Sequence, residues 1–323
     1  MASGTNSSSK EIAYNYSDFQ YLGRWNDTGS GIWSGWGGTQ IVFKVKGASY
    51  FTVIADTLDP DGTALENLAV DIDNTSVSAT DYYFSTAGAV TNGLASVKVL
   101  LPDTGEHAVI MKTNGYNAYI YAQTSKATIK QILLPSEGQF ITWTQGSKII
   151  QCVGDSWMGT TGDWPRLMST TSYKLYPIAT GGLSVIDMNN QYNNDYSGHA
   201  NTTDLTPDAV LISFGVNDLL GGVTQPNFET ACGALVDKVR AKHATAPIYL
   251  IRVPKNLGTG DDFGKYGTNM ANVAAAKTFT QYIDTTSLDA TITWTADTYH
   301  LTAASKQALA DFVKAELVAD GIS

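Results

Sequence analysis

The chain has 323 residues, 43% of them hydrophobic and 15% charged, with a formal net charge of -10. That apolar content fills complete cores and argues against intrinsic disorder. The acidic balance argues against nucleic acid and anionic membrane as partners, because phosphate recognition needs a basic face.

In chain order, residues 1–10, "MASGTNSSSK", read as a flexible leader without the apolar core of a signal peptide. No later stretch reaches the length of a membrane span, so no membrane insertion is expected. Few charges and many Tyr, Thr, Asn and Gly suit an extracellular or virion protein. The length favours two domains, and the rhythm of the sequence changes near residue 146.

Residues 11–145 carry β-signals. Thr39–Gly47, Ser49–Thr57, Ser96–Pro102, His107–Thr113 and Tyr119–Thr124 are short and rich in β-branched and aromatic residues. Gly, Pro, Asp and Asn punctuate them, as in "PDTGEH" and "TNGYN". Many short strands at close spacing predict an all-β sandwich or jelly roll. Trp25, Trp33 and Trp36 read either as core, which is expected of at least one, or as a sugar-stacking platform.

Residues 146–323 alternate apolar runs with helical patterns. "KIIQCVG", "DAVLISFG", "APIYLIRVP" and "ATITWT" (290–295) read as buried strands, with a weaker strand near Leu175–Thr180. Phe228, Ala231, Leu235 and Val239 mark one helix face. Ala304, Ala308, Phe312 and Val313 mark another, with Gly321 past its end. This α/β pattern predicts a parallel sheet covered on both sides, with ligands bound beyond the carboxyl ends of its strands.

Those strand ends carry Gly154-Asp155-Ser156, "ATGGLS" (179–184), Gly215-Val216-Asn217-Asp218 and Asp297-Thr298-Tyr299-His300. A serine hydroxyl is a weak nucleophile until a base takes its proton, and His300 is the natural base. Asp297 can accept the imidazole Nδ1–H and fix the tautomer. The tetrahedral oxyanion needs donors: the Ser156 N–H, the Asn217 amide and an N–H of the Gly181-Gly182 turn are candidates. One such donor is worth roughly 10²–10³ in rate.

These blocks, in this order, resemble the SGNH (GDSL-type) hydrolase family over roughly residues 147–320. The resemblance implies a flavodoxin-like three-layer α/β/α domain that hydrolyses esters. It makes Ser156 the nucleophile, His300 the base, Asp297 its partner and Asn217 an oxyanion donor. In the glycine block Gly182 is favoured as donor, with Gly181 and Ser184 as alternatives. Trp157-Met158 departs from the small or Leu continuation usual in the family and is expected to narrow the acyl pocket. "YLGRWND…IWSGWGGTQIVFKVKGAS" resembles the β-sandwich that precedes the hydrolase domain in carbohydrate esterase family 2, which implies O-acetyl groups on a polysaccharide or oligosaccharide as substrate.

Other features take structural readings. The four histidines are scattered and form no ligand cluster, so neither metal nor organic cofactor is expected. His107 precedes a strand, His199 lies in the polar stretch Asn189–Asp204, and His243 ends a helix, where a cation suits the dipole. Cys152 and Cys232 read as buried free thiols, with a disulfide as the alternative. Asn256–Lys265 fails phosphate-loop spacing, and "GDSWM" fails the nucleophile elbow. The expectation is a serine esterase removing acetyl groups from a polysaccharide. Its rivals are a general lipase or thioesterase, and a glycan-binding or virion structural protein with a vestigial hydrolase half.

Overall fold

The computed structural model describes residues 10–13, 18–27, 29–34, 36, 39–57, 68–73, 75–76, 82–84, 94–113, 127–141, 143, 146–159, 164–168, 172–193, 205–258 and 262–323. The expected strand at 119–124, His199 and most of the polar stretch 189–204 lie outside them.

The first part of the chain forms two antiparallel sheets. One runs Asn26–Asp27, Ile32–Trp33, Ala127–Leu134, Tyr50–Thr57, Leu94–Leu100, Tyr82–Phe84, with Lys10–Ala13 also on Ala127–Leu134. The other runs Gln139–Ile141, Gln40–Lys46, His107–Thr113, Leu68–Ile72, Thr75–Ser76, with Gln20–Leu22 on Gln40–Lys46. Alternate residues from both sheets share one core: Phe43, Val45 and Val109 meet Phe51, Val53 and Val99. Val42 and Ile110 point to the opposite face, where Leu22, Trp143 and Leu205 cover them. Burial on both faces explains why "QIVFKV" reads as a nearly continuous apolar run.

Five parallel strands form the second part: β1 (Lys148–Gly154), β2 (Tyr173–Ala179), β3 (Ala209–Ser213), β4 (Ile248–Ile251) and β5 (Thr280–Ile283). Their order is 2-1-3-4-5, the doubly wound order whose switch point lies between β1 and β3. Val153, Val210 and Ile212 face α2 (Val185–Gln191), α4 (Gln225–Lys242) and α5 (Gly267–Ala276). Cys152, Leu211 and Ile251 face α1 (Ser156–Gly159) and α6 (Ala303–Ala319) on the other side. The layers are therefore α/β/α.

Two expectations need correction. The strand expected at 290–295 is absent; only Trp294 makes an isolated bridge, to Leu301. Ile292 and Trp294 pack into the core over α6, while the Thr293 N–H and hydroxyl bond to Ser305. The fifth strand is Thr280–Ile283, where only Ile283 is buried, as befits an edge. In α6 the buried positions are Ser305, Leu309, Ala310, Val313 and Leu317; Ala304 and Ala308 are exposed. The inward face is thus rotated by one residue from the predicted one. Gly321 takes φ +82° just past α6, a left-handed conformation that favours glycine.

Cys152 and Cys232 are both buried and form no disulfide. Burial, with Asp218 and Glu229 nearby, pushes Cys232 up to about 12. His243 does end α4, but its ring is buried and pairs with Gln151 Nε2 at 3.2 Å instead of facing solvent. His107 is buried between Asp73 (2.7 Å) and Asp103 (3.1 Å). Burial alone would lower it, but those two carboxylates raise it above the ordinary histidine value.

The two parts meet through buried polar groups. Arg24, 1% exposed, donates to the Tyr192 carbonyl and lies over the rings of Tyr192 (4.8 Å) and Trp36 (5.8 Å). Trp36 is core, in one cluster with Tyr176 and Tyr192. Trp25 is half-buried against the sandwich core, and nothing is described of the Trp33 side chain. Asp71, also 1% exposed, accepts from Arg166 at 2.6 Å and Lys112 at 2.9 Å. Among the described residues no helix is long and apolar enough to cross a membrane.

Candidate active site

Three strand ends are level: Gly154 of β1 is in register with Ala179 of β2 and Ser213 of β3. The loops that follow therefore stand side by side. A Cβ at Gly154 would lie 2.3 Å from Met158 Cγ and 2.7 Å from the Ser213 carbonyl oxygen. Only glycine permits so tight a turn into α1, which begins at Ser156.

Ser156 Oγ lies 3.1 Å from His300 Nε2, and His300 Nδ1 lies 2.6 Å from Asp297 Oδ2. The other Asp297 oxygen accepts from the Thr295 hydroxyl (2.6 Å) and from the N–H groups of Tyr299 (2.9 Å) and His300 (3.0 Å). Partial burial works to raise the Asp297 carboxyl, but these donors and the imidazole hold it well below the usual carboxylate range. The carboxylate thus remains ionised and can orient the ring.

The loop carrying His300 is fastened from outside. Trp157 Nε1 donates to the Tyr299 carbonyl at 3.1 Å, and Asn256 Nδ2 to the Thr298 carbonyl at 3.1 Å. Thr298 sits at φ +64°, unusual for a β-branched residue. Trp157 and Met158, each 1% exposed, belong to the core; Trp157 packs on Trp294 with centroids 5.5 Å apart. Asn256, Thr295 and the indole N–H of Trp157 were not singled out from sequence. Asn256 follows β4, and the strand-end rule pointed to that loop without choosing a residue.

Asn217 stands in the first turn of α3 (Val216–Leu220), after Gly215 at φ +145°. Its amide nitrogen donates to Asp155 Oδ2 at 3.0 Å and to the Leu183 carbonyl at 3.2 Å. Asp155 Oδ1 accepts the Trp157 N–H at 2.9 Å, and Asp218 Oδ1 accepts the Val185 N–H at 3.0 Å. These bonds join the serine turn, the glycine turn and α3. Burial pushes Asp155 up to about 7; the Trp157 N–H and Asn217 amide oppose the rise, and the charge of Asp218 adds to it. Asp218 is likewise pushed up to about 7 by burial.

Gly182 adopts φ +82° in the turn before α2. Ser184 caps α2, and its N–H and hydroxyl both donate to Asp187 Oδ2. That capping box engages the Ser184 N–H, leaving the Gly181-Gly182 turn as the freer source of a backbone donor. The arrangement can take a proton from a serine hydroxyl, and Asn217 ties the serine turn to the glycine turn beside it.

Residues 144–308, just over half of the chain, match the GDSL-like lipase/acylhydrolase family. The chain belongs to that family. As a GDSL-like hydrolase it is a carboxylic ester hydrolase. No curated protein matches it in sequence. Among solved structures, it resembles a family two carbohydrate esterase from Clostridium thermocellum in complex with cellohexaose, at 17% identity and a TM-score of 0.69, covering 94% of this chain and 100% of that one. A family two carbohydrate esterase from Cellvibrio japonicus gives 17% identity and 0.67, covering 96% and 97%. An acetyl xylan esterase from the rumen bacterium Butyrivibrio proteoclasticus gives 14% and 0.66, covering 97% and 98%. At these identities the likeness is one of fold, and it extends over both parts of the GDSL-like hydrolase.

Proposed function

We propose that this hydrolase removes O-acetyl groups from a polysaccharide through an acyl-enzyme on Ser156. The continuous relay from Ser156 Oγ to His300 (3.1 Å) and on to Asp297 (2.6 Å) carries the reading. Ser156 Oγ attacks the acetyl carbonyl while His300 Nε2 takes its proton. The Ser156 N–H, the Asn217 amide and the Gly182 N–H receive the oxyanion. The intermediate collapses, and His300 protonates the departing sugar oxygen. Water, deprotonated by His300, then attacks the acyl-enzyme; acetate leaves and Ser156 regains its proton. Asp297 keeps the ring oriented throughout.

The substrate class rests on the shared fold with carbohydrate esterases, one of them holding cellohexaose. Such a substrate suits an extracellular or virion-associated setting. In this reading residues 146–323 are the catalytic domain, and residues 11–145 are a jelly-roll-like accessory domain that shapes the glycan groove.

Ser156→Ala is expected to abolish hydrolysis of 4-nitrophenyl acetate with the fold intact by circular dichroism. Full activity in that variant refutes the nucleophile. A ladder of 4-nitrophenyl esters should show steep loss beyond acetyl, and acetate should be released from acetylated xylan, mannan, pectin or bacterial O-antigen. Preference for long acyl chains favours a lipase, and glycan binding without acetate release favours a vestigial site.

A further inference from the structure

The oxyanion role of Asn217 raises a question of hydrogen count. A primary amide has two hydrogens, and Asn217 gives one to Asp155 Oδ2 (3.0 Å) and one to the Leu183 carbonyl (3.2 Å). One of them must be released before the amide can serve an oxyanion. We propose that Asp155 is a positioning residue that pins the Asn217 amide, and that the hydrogen now on the Leu183 carbonyl is the one handed to the oxyanion. This inference rests on the reading of Asn217 given above.

Three observations carry it. Asp155 is 1% exposed, so its carboxyl is shielded from solvent. Its two oxygens hold two different groups: Oδ1 takes the N–H of Trp157, the residue next to the serine, and Oδ2 takes the Asn217 amide. The same carboxyl thereby fixes the distance between the serine turn and the amide. Finally, the two bonds of Asn217 differ in kind. Above about pH 7, where Asp155 is ionised, a bond to its carboxylate is charge-assisted and roughly twice as strong as one between neutral groups. The bond to Leu183 is the longer and has a neutral acceptor. A developing oxyanion outcompetes a neutral carbonyl, but it has no such advantage over a carboxylate. The amide then pivots about its Asp155 bond and needs only a small rotation, which fits the preorganisation such sites require.

The test is a double-mutant cycle read in kcat and KM with 4-nitrophenyl acetate. Asp155→Asn retains the volume but puts an NH2 against either the Trp157 N–H or the Asn217 amide. It should lower kcat roughly 10²-fold, as loss of one oxyanion donor does, with KM nearly unchanged. Asn217→Ala should match it. The double variant should be no slower than Asn217→Ala, because the effect of Asp155 on kcat runs through Asn217. Multiplying effects, or a wild-type kcat in Asp155→Asn, overturns the inference while leaving the acyl-enzyme reading intact. An unchanged Asn217→Ala removes the oxyanion donor itself, and an active Ser156→Ala removes the nucleophile.

Should Asp155→Asn not fold, the wild-type enzyme still answers. Phenylboronic acid adds to Ser156 Oγ, forming an oxygen–boron bond as the hydroxyl proton passes to His300. In ¹⁵N-edited spectra one Asn217 side-chain proton should shift while its geminal partner stays. If both move or neither does, the inference fails.

Discussion

At the scale of single residues, the relay and the buried carboxylates make separate predictions. His300→Ala should cost roughly 10²–10⁴ in kcat, the usual range for a general base. Asp297→Asn should cost less, and no loss there would indicate a serine–histidine dyad. Because Asp297 is held well below the ordinary carboxylate range, it stays ionised wherever the enzyme is active. Asp297 should therefore add no step to the acid side of the kcat/KM profile. Any stability that the depressed Asp297 contributes is present above its unfolded value, about 4, and fades as pH falls below it.

Asp218 has the opposite sign. Burial raises it to about 7, so between about pH 4 and 7 the folded protein keeps a proton that the unfolded chain has released. Stability attributable to this group falls as pH climbs through that window. Asp218→Asn keeps an acceptor for the Val185 N–H and removes the charge. Its melting temperature, relative to wild type, should rise from pH 4 to pH 8 by calorimetry. A constant offset would contradict this sign. Asp155, raised in the same direction, leaves part of the slope in place.

Ser156, Asn217, Asp297 and His300 were legible because each stands in a short motif beside a strand end or a helix start. The supporting groups were not legible, because their signal is a partner rather than a motif. Asn256 holds a carbonyl 42 positions away, and the Trp157 indole holds one 142 positions away. Asp155 shows its second role only when α3 brings Asn217 to it.

At the scale of elements, the segment 295–300 is the vulnerable part. Trp157→Phe deletes the indole donor to the Tyr299 carbonyl while retaining much of the packing against Trp294. A net hydrogen bond of about 1 kcal/mol corresponds to roughly five-fold, and kcat should fall by about that factor. Asn256→Ala should do likewise, and the two should combine multiplicatively if the anchors are independent. Unchanged kcat in both would mean the loop is held by its Asp297 and Thr295 bonds alone. Of the elements, β1, β3 and α4 announce themselves because both their apolar content and their period are strong. β5 does not, since an edge strand buries one side chain in four and so carries little pattern. The 290–295 segment misled for the converse reason. Its alternation is real, but Ile292 and Trp294 spend it on a helix rather than on a neighbouring strand.

At the scale of the whole molecule, the sandwich and the hydrolase sheet are joined by buried Arg24 and by half-buried Arg166, which reaches buried Asp71. Arg24→Ala removes a bond to the Tyr192 carbonyl and the stacking on two rings; a loss of about 2–3 kcal/mol is expected, within the range for broken buried networks. Arg166→Ala removes a cation of the other half from buried Asp71. Both variants should split one calorimetric transition into two, and a single unshifted transition would show that the halves are coupled elsewhere. The sequence showed two regions of different period but gave no sign of this seam, because nothing local to Arg24 or Asp71 marks either as buried. Tyr192 and Arg166, which they meet, lie in the other half.

The histidine arm hangs on a handful of pegs, while the serine is rooted in an interior strand of a sheet covered on both faces. Warmth should therefore silence this enzyme before it melts it. Turnover is expected to drop several degrees below the point where ellipticity changes, and prompt chilling should bring it back, as with a door that has slipped its latch in a frame still standing.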